Sequence, residues 1–244
     1  MSMRIKAFLI HGLVSISVAL LVIGLVFFIW YPSPLAKAVG VTHIFLMMLV
    51  IDVILGPLLT LLVYKQGKKT LLFDLTIIVV LQVSALCYGL WTVYQGKPAW
   101  LVFNADRFDV VRIIEIDKRK INQVKDKYRT LSLFSPKWVA SIAPQNIDEN
   151  NDILFEAVFA GIDIAQRPEL YQDLNDVKDK IKNKAQGLEL LNNYNNRKDV
   201  EKTLAKYPKA DAWLPLKANA VDMVVLVNKE SASIIKIVDL RPWE

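Results

Sequence analysis

Few side chains in this sequence could do covalent, acid–base or metal chemistry at neutral pH, and they are unevenly placed. The two histidines, His11 and His43, and the single cysteine, Cys87, fall inside long apolar runs, so residues 95–244 hold neither His nor Cys. Cys–His and Ser–His–Asp nucleophiles, a histidine base and a His-ligated metal site are thereby removed from that portion. One cysteine forms no intrachain disulfide and no CxxC pair. The glycines stand at 12, 24, 40, 56, 67, 89, 96, 161 and 187, a spacing that holds neither GxGxxG nor a Walker A loop. Asp148-Glu-Asn-Asn-Asp152 opens like a calcium loop, but Ile153 takes the sixth position, where Gly is needed, and Phe159 the twelfth, where Glu is needed. No paired motif supports Ser–Lys catalysis. The sequence therefore predicts no enzyme, with no catalytic, cofactor-binding or metal residue assigned and no cofactor.

The remaining candidates are polar residues inside apolar runs, where an Asp at mid-membrane costs about 2.5–3.5 kcal/mol on insertion scales. Asp52 lies twelve residues from the end of the second run (64 − 52), and Gln82 eleven from the start of the third (82 − 71). At 1.5 Å per residue they share one depth and can hydrogen-bond. Asp52 shares a helix face with Gly56 and Thr60, and Gln82 with Ala85 and Gly89, the small residues that close packing in lipid favours. Pro57 removes a backbone donor and predicts a kink. Nearer the edge, His11 is three residues into the first run (11 − 8) and Asp74 three into the third (74 − 71), which predicts a His11–Asp74 pair. Such polarity holds three helices together, faces a fourth, foreign helix, or lines an ion or proton path, for which three helices make a poor pore.

The elements that position these residues follow from hydropathy. Hydrophobic residues make up 54% of the 244, and the excess is concentrated before residue 95 in runs 8–31, 39–64 and 71–94. A membrane crossing needs about 20 residues, so three transmembrane helices are predicted. Ala36-Lys37-Ala38 superficially fits a signal-peptidase site, but the first run is too long for a signal peptide, and Pro32 and Pro34 intervene. Arg4 and Lys6 precede the first helix, only Lys37 follows it, and Lys65, Lys68 and Lys69 fill the second loop. The positive-inside rule makes the N-terminus and second loop cytoplasmic and places residues 95–244 on the far side. Trp30, Tyr31, Tyr64, Trp91 and Tyr94 sit at helix ends, as interfacial aromatics do.

The net charge of +6 divides into +4 for residues 1–94 (6 − 2) and +2 for residues 95–244 (24 − 22). Most of the basic excess is thus topological, and no motif supports nucleic-acid binding. In residues 95–244, strands are predicted at 100–103 and 108–116, joined by the turn Asn104-Ala-Asp-Arg107, and at 223–227 and 234–238 around Asn228–Ser233. Helical spacing marks 116–128, 152–160, 168–185 with Leu170, Leu174, Val177 and Ile181 on one face, and 188–207 with a break near Asn195. The fold class is α+β: three transmembrane helices (1–94), then a periplasmic domain (95–244) with a small, mostly antiparallel sheet and several helices. Arg107, in Asp106-Arg107-Phe108, is either a partner contact or the ion partner of Asp109. Lys178 to Lys184 reads as a solvated helix face.

Several blocks together resemble the TfpX/TfpZ family of type IV pilin accessory proteins. They are Arg4-Ile-Lys-Ala-Phe8 with His11, Trp30-Tyr-Pro-Ser-Pro-Leu35, Asp52-Val-Ile-Leu-Gly-Pro-Leu-Leu-Thr60, Lys69-Thr-Leu-Leu-Phe-Asp74 and Val102-Phe-Asn-Ala-Asp-Arg-Phe-Asp-Val110. The likeness is dense over 4–115 and thinner beyond, returning at Val221-Asp-Met223 and Asp239-Leu-Arg-Pro-Trp243; Lys97-Pro98 stands where Arg-Pro is expected. The resemblance implies a bacterial inner-membrane chaperone that stabilises or delivers its cognate type IV pilin for pilus assembly. Its partners would be the major pilin subunit and the lipid bilayer. His11, Asp52, Asp74, Gln82 and Arg107 are the candidate pilin-contact or bundle residues. The His11–Asp74 level would meet the glutamate that such pilins carry near the start of their membrane helix. The alternative is a membrane-anchored sensory module, for which the cytoplasmic side offers only residues 1–7 and 65–70 as output.

Overall fold

The computed structural model describes residues 1–243. They form two compact units, one made of Met1–Trp30 with Val41–Gly96, the other of Tyr31–Gly40 with the chain from Lys97 onward.

In the first unit, α1 (Met3–Gly24) continues as a π-helical stretch through Trp30, and after the short α2 (Leu35–Ala38), which belongs to the second unit, come α3 (Val41–Val63) and α4 (Leu71–Gln95). All three long helices are long and apolar enough to cross a membrane. α1 begins five residues before the predicted boundary (8 − 3), with Ser2 as its N-cap. α3 carries Pro57 and packs against both α1 and α4. Their apolar surfaces point outward, α4 most of all, where only 6% of the hydrophobic window is buried. In lipid this is the stable arrangement, because hydrocarbon solvates Leu and Ile as well as a protein core does.

The second unit is built on one curled, mostly antiparallel sheet: β1 (Pro98–Asn104), β2 (Arg107–Arg112), β3 (Lys137–Ser141), β4 (Tyr171–Gln172), β5 (Gln186–Gly187), β6 (Ala212–Lys217), β7 (Met223–Asn228) and β8 (Ser233–Val238). The order is β4-β3-β1-β2-β6-β7-β8, with β5 paired to β6. Only β1–β3 and β2–β6 run parallel. Both predicted hairpins form, β1–β2 and β7–β8. Phe103, Phe108, Leu214 and Val225 fill one core with Ile181, and Trp213 with Leu191, Val200 and Leu226 fills another. The connector after α1 enters the first of these: Leu35 and Ala38 are buried there, and the Ala38 carbonyl accepts from Ala220 and Val221. Gly40 is required at φ 77°, since a Cβ would meet that of Ala220 at 2.8 Å.

Several local expectations are corrected. The stretch 168–185 is not one helix. It runs as 3-10 turns at Pro168–Leu170 and Leu174–Val177, the strand β4 between them, and then α7 (Lys178–Lys184). Tyr171 leaves helical geometry to pair with Ser141 and to donate its hydroxyl to the Ala165 carbonyl at 2.6 Å, and Asp173 then caps the next turn. The predicted helix at 116–128 reduces to a 3-10 turn and α5 (Asp126–Arg129), because its charges are drawn to α6 (Ile147–Phe159), as described below. At 188–207 a 3-10 stretch leads to α8 (Arg197–Leu204), and the break at Asn195 is held by its side chain, which donates to the Leu191 and Arg241 carbonyls. Strands β3 and β6 carried too little signal: β3 is five residues behind Ser135-Pro136, and β6 contains Pro215, which argues against an interior strand. Pro215 sits between the positions where β6 meets β5 (212–213) and β2 (216–217).

Candidate functional site

Asp52, Gly56 and Thr60 line one face of α3, and α1 and α4 bring polar groups to the same level. Gln82 Nε2 donates to the Asp52 carbonyl at 3.1 Å and to Ser15 Oγ at 3.1 Å. A carbonyl can only accept, so this contact fixes the amide orientation and turns Gln82 Oε1 toward His11 Nε2, 2.9 Å away. Oε1 also only accepts. His11 Nε2 therefore carries a proton, and in the neutral ring Nδ1 accepts from Thr60 Oγ1 at 2.6 Å. His11 and Ser15 from α1, Asp52 and Thr60 from α3, and Gln82 from α4 thus form one chain of hydrogen bonds joining three helices. Gly56 makes room for it, since a Cβ there would collide with the Gln82 amide. Arg4 donates to the Leu61 carbonyl and so caps the C-terminal turn of α3.

The predicted Asp52–Gln82 contact is made through the Asp52 backbone carbonyl, whereas the predicted His11–Asp74 pair is not made. Asp74 instead binds Lys68 Nζ at 2.6 Å and accepts from Thr70 at 3.1 Å, at the first turn of α4, where the helix dipole favours a carboxylate. The error was one of depth: with α1 starting at Met3, His11 lies about 12 Å along it, not about 4.5 Å. Thr60 and Ser15, absent from the candidates, complete the network. Thr60 already stood on the Asp52 face in the sequence, whereas Ser15 carried no local signal, because the partners are 49 and 67 residues apart and only tertiary packing joins them.

Beside the network, a cleft of about 580 Å³ opens between α3 and α4, lined by Phe45, Met48, Asp52, Gly56, Gln82 and Gly89 among others. It is almost wholly apolar except where Asp52 and Gln82 contribute to its wall. Chemically it can accept another helix at van der Waals distance and offers polar groups at mid-span.

In the second unit, Arg107 Nε donates to Asp109 Oδ1 at 2.9 Å, and Asn104 Nδ2 to Oδ2 at 2.9 Å. Burial pushes the Asp109 carboxyl above the ordinary aspartate range, opposed by these two donors. Arg107 is thus a turn-bracing ion partner, and Ala105 in the same turn takes a left-handed φ of 57°. Lys97 is fully buried, with Nζ donating to the Ser132 carbonyl at 2.6 Å, and burial lowers its pKa to about 8. No cluster of His, Cys, Asp or Glu among the described residues could hold a metal ion.

Comparison with known proteins decides the family. The profile of "Fimbrial assembly protein FimB" matches residues 1–40. A fimbrial assembly protein of serogroup I from Dichelobacter nodosus is 32% identical over 96% of this chain and 94% of its own length. The chain belongs to the fimbrial assembly protein family. The serogroup E1 protein of the same organism is 31% identical over the same shares, and the protein of serogroups C1 and C2 is 38% identical over 42% of this chain and 79% of its own. No solved structure matches. The similarity to the serogroup I and E1 family members spans both units, so the helices and the sheet are inherited together.

Proposed function

We propose that this protein is a pilin-specific accessory factor of the TfpX/TfpZ kind, which stabilises its cognate type IV pilin in the bacterial inner membrane or delivers it for pilus assembly. The observation that carries this reading is the end-to-end similarity to fimbrial assembly proteins distinguished by serogroup. The N-terminus faces the cytoplasm and the second unit the periplasm. The basic residues support this topology, and the connector Tyr31–Gly40, which belongs to the same unit as the chain after Lys97, fits a common side for both.

A pilin before assembly is a membrane helix with a head outside. In this reading its helix lies in the α3–α4 cleft, against Asp52 and Gln82, with small residues Gly56, Ala85 and Gly89 nearby. The sheet unit recognises the head. Photocrosslinkers at 11, 52, 74 and 107 test the contacts in living cells, with pilin adducts expected at 52 above all. No adducts, together with an unchanged pilin level on deletion of the protein, would sink the proposal.

A further inference from the structure

α6 is amphipathic but set with its apolar side outward. Its inward face is Glu149, Asn150, Ile153, Glu156 and Ala157, of which only Ile153 is a buried hydrophobe. Ion pairs hold it there: Lys120 Nζ binds Glu149 at 2.8 Å, while Arg119 and Arg167 both bind Glu156, and Arg119 also grips buried Asp117 at 2.7 Å. Outward lie Ile147, Leu154, Phe155, Val158 and Phe159, from 57% to 82% exposed, with the two Phe rings stacked at 6.2 Å. Leu154, Phe155, Val158 and Phe159 cluster on the last two turns of α6, with Asp148, Asn151 and Asp152 exposed on the same side one turn earlier, and an exposed apolar cluster outside the membrane-spanning helices marks an interaction surface.

The charge around the face selects the occupant. Asp148 and Asp152 are exposed beside it, and the cations packed against α6, Arg119, Lys120 and Arg167, are ion-paired to Glu149 and Glu156 on its inward side. Helices that lie on a membrane surface carry Lys and Arg on their polar face, so an acidic one is repelled by anionic headgroups. A second copy meeting this one α6 to α6 would set acid against acid. We infer that the outward face of α6 docks the head of the cognate pilin, through an apolar patch on the pilin bordered by basic side chains. This rests on the proposed function and assigns it a second contact, separate from the α3–α4 cleft.

The test uses the full-length chain in cells that make the pilin, with a photoreactive amino acid at Val158. A pilin adduct is expected. Its yield should fall about tenfold in Phe155→Ser/Phe159→Ser, which removes two aromatic anchors, and should also fall in Asp148→Lys/Asp152→Lys. Adducts to lipid, to a second copy of the chain, or to nothing overturn the inference if deletion of the protein still lowers pilin. If deletion leaves pilin and pili unchanged, the proposed function fails first and this inference with it. The single replacement at the exposed Val158 keeps the test decisive even where a double variant folds poorly.

Discussion

The helices of the first unit and α6 of the second share a pattern that α8 does not. α8 buries Val200 against Leu191 and Trp213 and exposes its charges, as a helix in water should. α1, α3 and α4 keep His11, Ser15, Thr60 and Gln82 inside and turn Leu, Ile and Val out, which lipid explains. α6 does the same in a unit whose other helices follow the aqueous rule, fastened by Arg119, Arg167 and Lys120. α8 sets its apolar side against the core, whereas the residues that α6 turns inward are the ones that Arg119, Arg167 and Lys120 bind, so Phe155 and Phe159 stay exposed.

Breaking that fastening should have the largest effect. Arg167→Met leaves Glu156 and buried Asp117 with Arg119 as their remaining cation and should lower stability more than the other changes named below. Thermal melting of the full chain in detergent should show this loss; retention of wild-type stability would mean that α6 is held by Ile153 alone. Arg119 and Arg167 together hold the Glu156 carboxyl down to about 2, below the ordinary glutamate value of 4.5, so the stability this pairing gives should be complete above pH 4.5 and erode as pH falls to about 2.

Within the first unit, Gln82→Leu removes the hub that joins α1, α3 and α4 and leaves His11 Nε2 without its acceptor. Interhelical hydrogen bonds in membranes contribute about 0.6–1.7 kcal/mol, so a loss of about 1–2 kcal/mol is expected, read from unfolding in mixed micelles. Gly56→Val should act in the same direction by pushing the Gln82 amide away.

Lys97 supplies a pH signature. The unfolded chain holds this proton to the ordinary lysine value of 10.5 and the folded chain only to about 8. Between these values the unfolded state binds more protons, so stability rises with pH; below about 8 both states are protonated and the burial penalty is present in full. The melting temperature should climb between pH 8 and 10.5, and Lys97→Met should flatten that climb. The smallest effect belongs to Phe155→Ser/Phe159→Ser. On an outward face it should change stability by about 0.5 kcal/mol or less, and a large loss would mean that the face is covered within the chain itself.

The sequence made the three long helices, the two hairpins and the α+β class legible because hydropathy, Lys and Arg placement and β-branched runs are local signals. It left β3, β4 and β6 illegible, because Pro215 and the helical spacing of Leu170, Leu174, Val177 and Ile181 point locally to the wrong element and only pairing with β7 or β3 overrides them. For the candidate site, Asp52 and Gln82 were legible from shared depth. The His11 partner was not, since depth depends on where α1 begins, and Ser2 as a cap is a weak signal beside an apolar run. The outward face of α6 was written in Leu154, Phe155, Val158 and Phe159, but the side of the helix that would be buried depended on Arg119 and Arg167, 37 and 11 residues from Glu156.

In the proposed function this family member holds a pilin through both of its units. Purification of the full-length chain in mild detergent from cells that make the pilin tests it most directly: pilin should copurify in a fixed ratio, and less of it should be retained by both Asp52→Leu and Phe155→Ser/Phe159→Ser. A chain that purifies without pilin, from cells whose pilin level is the same with or without it, would contradict the claim.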